Sequence, residues 1–194
     1  MRQAHGDSGA TPLDDDEAAG LIPGHIATRG QLNEWEQRNI TEAQRWALGR
    51  GGPDPLTIDG LRQLHERMFG RTWEWAGRFR TTEKSIGVPA PQVWTTLRDC
   101  VDDARHWTEH GTMGLREAAA RFHHRLVQVH PFPYGNGRWA RLATDVLLRR
   151  AGERPFAWGE EAGASARASY IAALRHADGG DFGPLFEFLG VDRA

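Results

Sequence analysis

The sequence predicts an all-α domain, a helical bundle with one small β-hairpin flap. Apolar residues recur at steps of three and four through most of the chain, which is the periodicity of helices that bury one face. Glycine and proline end these periodic segments, and residues 73–93 hold too many of them for a helix interior. A chain of 194 residues is long enough to enclose one apolar core.

Residues 1–27 are expected to form an N-terminal arm that is flexible or draped over the surface. This stretch is rich in Gly, Asp and Ala, and it carries an acidic run at residues 14–17. It has too little apolar surface to fold by itself. We expect the folded domain to occupy residues 28–190.

Six periodic segments predict helices, and a closing turn follows at residues 182–189. The first helix begins at Thr28 and is stopped by Gly49 and the residues after it. The other five are expected over residues 58–69, 94–107, 115–129, 139–150 and 165–176. Between the second and third helices, Gly77, Gly87 and two prolines exclude a helix, while residues 78–82 alternate weakly like a strand, so a short hairpin or ordered flap is expected there.

Composition narrows the class of partner and the compartment. The chain has 24 Lys and Arg against 26 Asp and Glu, so it has no strong field that would attract nucleic acid. Cys100 is the single cysteine, which indicates a buried thiol in a reducing compartment and therefore a cytoplasmic protein. No apolar run approaches the roughly 20 residues of a membrane span, so no membrane association is expected.

The stretch at residues 130–141 carries the densest chemistry. Pro131 and Pro133 cannot continue the preceding helix, whereas Gly135 and Gly137 allow a tight turn that brings backbone N–H groups close to a ligand. The next helix begins at about residue 138. Its first-turn amides and its dipole therefore point into the loop, where they favour phosphate oxygens.

Two arginines and a histidine complete this stretch. Arg138 and Arg141 are three residues apart, so they share one side of the helix and can grip phosphate, and Asn136 adds a neutral donor. His130 has an ordinary pKa of roughly 6.5 and is the natural base for deprotonating a hydroxyl in phosphoryl or nucleotidyl transfer. A structural interpretation stays open, because a histidine after an apolar helix is usually a packed core residue and Gly-Asn-Gly is usually a turn.

Residues 130–141 resemble the signature loop of the Fic domain family (Fic/Doc). The pattern is His-x-Phe-x-Asp/Glu-Gly-Asn-Gly-Arg-x-x-Arg, matched at every specified place except Tyr134. Residues 75–80 resemble the family's Trp-Ala-Gly-x-Phe/Tyr-Arg segment, and residues 170–174 resemble its last helix. In overall arrangement the chain is similar to the subfamily called mobile mystery protein B.

The resemblance implies a protein AMP transferase that moves AMP from ATP to a Ser, Thr or Tyr hydroxyl, with His130 as general base. It implies that Phe132 anchors the loop, and that a flap at about residues 82–91 pairs with an extended segment of the target and lines the site through Lys84 or Ile86. The residues expected to contact the nucleotide are Gly135, Asn136, Gly137, Arg138, Arg141 and Lys84. Transfer of UMP, phosphocholine or phosphate, a non-enzymatic nucleotide-binding regulator, and a small antitoxin-like partner are the alternatives left open.

Tyr134 and Glu36 are the two places where the resemblance raises a specific question. Tyr134 occupies the position of the family's magnesium-binding carboxylate, and a neutral phenol is a poor ligand for Mg2+. The ion is then held by phosphates and water alone, is dispensable, or is lost together with activity. Glu36 in the first helix is the candidate for the family's inhibitory glutamate, which pairs with the second arginine, although both flanking residue types differ here.

Overall fold

The structure is a computed structural model, and it describes residues 18–159 and 163–192. Seven α-helices are delimited in these parts of the chain, and the only β-pairing there is an isolated bridge. The predicted all-α class is therefore confirmed. The helices are α1 (Arg29–Ala47), α2 (Ile58–Phe69), α3 (Val93–His110), α4 (Leu115–Val129), α5 (Asn136–Arg150), α6 (Gly163–Asp178) and α7 (Gly183–Leu189), and a 3-10 turn (Ala90–Gln92) precedes α3.

Local signals in the sequence account for several helix boundaries. Thr28 caps α1 through a reciprocal pair: its hydroxyl accepts from the Gln31 N–H, and the Gln31 side chain accepts from the Thr28 N–H. Thr57 caps α2 by accepting from the Gly60 N–H at 3.0 Å. The closing turn expected near the C-terminus is a short helix, α7, that follows a glycine bend.

The helices pack around the contacting pair α4 and α5, and α1 with α2, α3 with α4, and α6 with α7 are the other closely packed pairs. In this arrangement α5 contacts α4, α2 and α1, and α7 packs on α6 and α4. Trp139 of α5 is fully buried at the centre, and its indole N–H donates to the Leu61 carbonyl at 2.9 Å. Because α5 begins directly after residues 130–135, this core fixes both ends of the loop that carries the predicted chemistry.

The flap differs from the predicted β-hairpin. Residues 81–89 run irregularly without paired strands. Gly87, Pro89 and Pro91 interrupt any ladder, and the carbonyls of Thr82 and Val88 accept hydrogen bonds from the Arg80 side chain. The segment is an ordered loop that is closed by one guanidinium.

The last residues of the expected N-terminal arm lie against the start of the flap region. Leu21 forms an antiparallel bridge with Trp73, and the Ile22 N–H donates to the Thr72 carbonyl at 2.9 Å. Residues 1–17, which contain the acidic run, lie outside the described residues. None of the helices in the described ranges is both long and apolar enough to cross a membrane.

Candidate active site

His130 ends α4 in a backbone conformation that few side chains adopt. It has φ 51° and ψ 58°, and it is the only residue other than glycine with positive φ among residues 18–159 and 163–192. Its N–H donates to the Leu126 carbonyl at 3.2 Å, so it closes the helix in the manner usually left to glycine. A left-handed conformation at a non-glycine residue persists only where its surroundings hold it, and such residues cluster at functional sites.

The loop after His130 is fixed by one aromatic side chain and one amide. Phe132 is fully buried, lies stacked on the His65 ring with centroids 3.7 Å apart, and meets Trp139 edge-on. The Asn136 side chain bonds both backbone groups of Phe132, accepting from its N–H at 2.9 Å and donating to its carbonyl at 2.8 Å. Asn136 was expected to contact phosphate, but its carboxamide is 2% exposed and is used to close the loop on itself.

His65 of α2 joins this loop to the flap region in a single neutral form. The Gly77 N–H donates to its Nδ1 at 3.0 Å, so Nδ1 is an acceptor, and the proton on Nε2 is donated to the Tyr134 carbonyl at 3.0 Å. Burial lowers the pKa of His65 to about 3, the Arg138 charge acts in the same direction, and the bond to Tyr134 opposes both. The ring is a fixed spacer and takes up no proton near neutral pH.

Gly135 shapes the start of α5 and leaves the first amides of that helix free of intrahelical partners. It has φ 78°, and a Cβ there would lie 2.5 Å from Cζ of Phe69. The first-turn N–H groups of α5, at Asn136, Gly137 and Arg138, have no preceding helical carbonyl, and Gly137 is exposed with open space around its Cα. These amides form the anion-favouring end of a 15-residue helix.

Glu36 of α1 reaches this helix end and pairs with the first of the two arginines. Its carboxylate is 1% exposed and lies 3.0 Å from Nη1 of Arg138. The Trp73 indole N–H donates to the other carboxylate oxygen at 2.8 Å, and the Tyr134 hydroxyl lies 3.4 Å from the oxygen that faces Arg138. The Arg138 guanidinium also covers the rings of Tyr134 and Phe69. The resemblance had implied a pair between Glu36 and Arg141, and the structure instead joins Glu36 to Arg138.

Arg141 lies one turn further along α5 in different surroundings. Its charge acts on the buried His123 of α4 and on the partly buried Tyr170 of α6, whose side chains are joined at 2.7 Å. The Thr144 hydroxyl lies 3.4 Å from the other His123 ring nitrogen. Burial lowers the pKa of His123 to about 3 and raises that of Tyr170, so both are neutral. The two arginines therefore have different neighbours: Arg138 lies against Glu36 of α1, whereas Arg141 acts on groups of α4 and α6.

His130 is kept neutral by its environment. Burial lowers its pKa to about 4, the charges of Arg80 and then Lys84 act in the same direction, and a hydrogen bond with the Val127 backbone opposes them. The side chain is 4% exposed because the flap lies over it, and a Cβ at Gly87 would be 2.7 Å from the Cβ of His130. A neutral imidazole is the form that accepts a proton, so the residue is ready to act as a base at neutral pH.

The residues around Tyr134 do not fit a resident magnesium ion. Burial raises the pKa of the Tyr134 phenol despite the nearby Arg138 charge, so the group is a neutral hydroxyl. Glu36 is the adjacent carboxylate, and it is occupied by Arg138 and Trp73. Within the described ranges, no three His, Cys, Asp or Glu side chains come together as a metal site. Hard cations prefer several carboxylate or phosphate oxygens, and this donor set does not supply them.

The region of the chain that carries this site matches a known protein family. Residues 55–148 match the model of the Fic/DOC family, and they include α2, the flap, the loop with His130 and most of α5. The chain carries a domain of the Fic/DOC family. Over 144 residues it is 35% identical to the protein adenylyltransferase fic-1 of Caenorhabditis elegans. The aligned region covers 70% of this chain but only 27% of the C. elegans protein.

Solved structures agree with the Fic/DOC assignment. A Fic-1 structure from C. elegans, residues 134–508 with an E274G substitution, superposes with a TM-score of 0.70 at 30% identity and covers 89% of this chain and 51% of that one. A BepC structure with bound AMPPNP from Bartonella tribocorum has a TM-score of 0.72 at 19% identity and covers 92% and 98% of the two chains, which shows a shared fold.

Two residues that hold this Fic/DOC site together were not identified from the sequence as site residues. His65 lies within the second predicted helix, residues 58–69, and nothing in its spacing marks it as the link between Gly77 and Tyr134. Arg80 had a signal, since it ends the segment at residues 75–80 that resembles the family. An arginine at the end of this segment does not by itself reveal that its partner is the His130 carbonyl, 2.7 Å away.

Proposed function

We propose that this chain transfers AMP from ATP to a Ser, Thr or Tyr hydroxyl of another protein, with His130 as general base. The observation that carries the proposal is that one short loop, residues 130–135, begins with the neutral His130 imidazole and ends at the phosphate-favouring start of α5, whose first turn holds Arg138. The curated relative from C. elegans is named a protein adenylyltransferase, and this chain covers 27% of its length.

In the proposed reaction the target hydroxyl oxygen attacks the α-phosphorus of ATP. The new bond joins that oxygen to phosphorus, the bond from the α-phosphorus to the bridging oxygen breaks, and pyrophosphate leaves. His130 takes the hydroxyl proton. General-base catalysis of this kind typically raises the rate by roughly 100-fold to 10,000-fold. The first-turn amides at Gly137 and Arg138, with the guanidiniums of Arg138 and Arg141, stabilise the phosphate charge. Gly135 supplies the turn that orients them.

The flap is proposed to present the target. Its residues 81–83 and 85–87 are exposed, Ile86 is 51% exposed, and Lys84 is half-buried with its charge acting on His130. An extended target segment that paired with this backbone would place a hydroxyl near the imidazole. Lys84 and Ile86 are then the flap residues that line the site.

Glu36 is proposed to restrain the activity by holding Arg138. A carboxylate in that position competes with the nucleotide phosphates for the same guanidinium and adds a like charge beside them. Tyr134 and Trp73 support the contact through their hydrogen bonds to Glu36. Binding of ATP then requires Glu36 to leave Arg138.

A nucleotide-binding regulator without transferase activity is the second candidate, and Tyr134 favours it. Tyr134 stands where the family pattern has a metal-binding carboxylate. Without that metal ligand, the protein would bind ATP but not transfer AMP. The similarity to mobile mystery protein B also suggests a small antitoxin-like partner, and the single, buried cysteine, Cys100, suggests a cytoplasmic location; both are proposals. Magnesium is proposed to enter only as the counterion of ATP.

The donor is tested by incubating the protein with labelled ATP, UTP or CDP-choline, with magnesium, in a protein extract that supplies targets. AMP transfer is supported if α-labelled ATP is the only one of the three donors that leaves label on protein. Label from UTP or CDP-choline alone replaces AMP with UMP or phosphocholine, and transfer from γ-labelled ATP indicates phosphate. Nucleotide bound without covalent label, including in the Glu36→Gly chain, supports the regulator instead.

A further inference from the structure

One buried guanidinium closes the flap and joins it to the loop that carries His130. Arg80 is 3% exposed. Its Nε donates to the His130 carbonyl at 2.7 Å, Nη1 donates to the Thr82 carbonyl at 3.0 Å, and Nη2 donates to the Val88 carbonyl. The first partner belongs to the proposed base, and the other two are the two ends of the exposed flap.

Backbone contacts reinforce the same junction. The Arg80 N–H donates to the Pro131 carbonyl at 2.9 Å, and the Val88 N–H approaches the Val129 carbonyl at 3.4 Å. Gly87 has φ 106° and lies so close to His130 that a Cβ there would be 2.7 Å from the Cβ of His130. The flap is therefore joined to the backbone around His130 at several points.

The chemistry of this junction suits arginine and excludes lysine as an equivalent. Guanidinium donors project in a fixed planar fork, so one side chain reaches three carbonyls that lie in different directions. A lysine ammonium is a point charge on a flexible stem, and it retains the charge without the fork. Each of the three bonds runs from a charged donor to a backbone carbonyl, which makes them stronger than neutral hydrogen bonds.

We infer that Arg80 is a positioning residue that sets the distance between the flap, where the target segment lies, and the His130 imidazole. The inference rests on the proposed function in that it takes His130 as the base and the flap as the target surface. Through its three carbonyl bonds, Arg80 transmits a displacement of the flap directly to the backbone of the base. Its positive charge also acts in the same direction as burial, which is the larger cause, in lowering the pKa of the imidazole and leaving it in the proton-accepting form.

The test uses Arg80→Gln, which removes the charge and the fork, and Arg80→Lys, which removes only the fork. Arg78→Gln is the matched control, because Arg78 is an exposed arginine two residues earlier. Hydrogen exchange of the Arg80 and Val88 N–H groups, which donate to the Pro131 and Val129 carbonyls, is expected to be at least about tenfold faster in both Arg80 variants, the factor that corresponds to losing one charge-assisted hydrogen bond. The control is expected to exchange like the unmodified protein.

The His130 imidazole provides a second readout that does not require activity. Its ring resonance is followed by NMR from pH 8 down to the lowest pH at which each chain stays folded, with His130→Ala used for assignment. Arg80→Gln is expected to raise the His130 pKa, because Lys84 is then the remaining positive charge known to act on the ring, whereas Arg80→Lys is expected to leave it low. This separates the charge of Arg80 from its geometry.

In the transfer assay, both Arg80 variants are expected to lower kcat by roughly 100-fold, the loss typical of a base misplaced by about 1 Å, with the ATP KM unchanged. The inference would be overturned if a folded Arg80→Gln chain had the same hydrogen-exchange rates in the flap and the same His130 pKa as the Arg78→Gln control. If Arg80→Gln does not fold, the same comparison on Arg80→Lys decides through flap exchange. If the unmodified protein transfers no nucleotide, the proposed function fails, and exchange and titration still decide the role of Arg80.

Discussion

Replacing Glu36 with glutamine tests the contact that occupies the phosphate-binding arginine. The substitution keeps the shape and the oxygen that accepts from Trp73, but it turns the oxygen facing Arg138 into an NH2 group. A hydrogen bond to a charged group contributes about 1.5 to 3 kcal/mol, and the Arg138 side chain is 32% exposed, which favours the lower end of that range. Removing this competitor for the phosphates is expected to tighten ATP binding by roughly 10-fold to 100-fold.

Isothermal titration calorimetry with ATP measures this change directly. Glu34→Gln is the matched control, since Glu34 is an exposed acid on the same helix and is expected to leave the affinity unchanged. Glu36→Gln is also expected to lower the unfolding free energy by about 1 to 3 kcal/mol, because Arg138 loses a buried partner. An ATP affinity equal to that of the Glu34→Gln control would refute the competition between Glu36 and phosphate.

Three further predictions concern the loop and two buried histidines. Phe132→Ala should lower the unfolding free energy by about 3 to 5 kcal/mol in chemical denaturation, because the ring is fully buried; a loss below 1 kcal/mol would contradict the anchoring role. Gly135→Ala should abolish ATP binding and have a smaller effect on Tm, because the new Cβ would clash with Phe69 and because alanine rarely adopts the positive φ of this position. Normal ATP binding in calorimetry would contradict this. Stability should fall as pH drops below about 6.5, because His65 and His123 have depressed pKa values near 3 in the fold and the unfolded chain binds protons first. The loss approaches about 1.4 kcal/mol per pH unit for each histidine, and His65→Gln should flatten the curve of Tm against pH.

Helix positions were predictable because they depend on local periodicity and on end signals. The second and fourth helices have the expected bounds, 58–69 and 115–129, since each has an apolar stripe and a clear stop. The helix after the loop begins at Asn136, two residues before the expected start. Gly135 in a left-handed conformation already serves as its N-cap, and periodicity alone does not reveal where a glycine turn ends.

The flap was harder to predict because a side chain determines its form. Weak alternation at residues 78–82 suggested a strand, but the flap carbonyls of Thr82 and Val88 bond to Arg80 instead of to a partner strand. Such a bond joins residues by three-dimensional geometry that no spacing rule contains. The same limit applies to His65, whose partners Gly77 and Tyr134 are 12 and 69 positions away.

For the site, the motif brought His130, Phe132 and Arg138 together but did not give the state of each group. The identity of the arginine that Glu36 contacts depends on how α1 crosses the start of α5, which is a tertiary property. The neutral state of His130 likewise comes from burial beneath the flap and from the Arg80 charge. The roles of these residues in nucleotide binding remain predictions.

The most direct test of the central claim compares AMP transfer by Glu36→Gln with transfer by Glu36→Gln/His130→Ala, each with α-labelled ATP and a protein extract. A matched control, Glu36→Gln/His110→Ala, changes an exposed histidine on α3. The account predicts that protein-bound label falls at least about 100-fold without His130, while ATP binding measured by calorimetry is unchanged. Equal labelling with and without the His130 imidazole would contradict its role as the base.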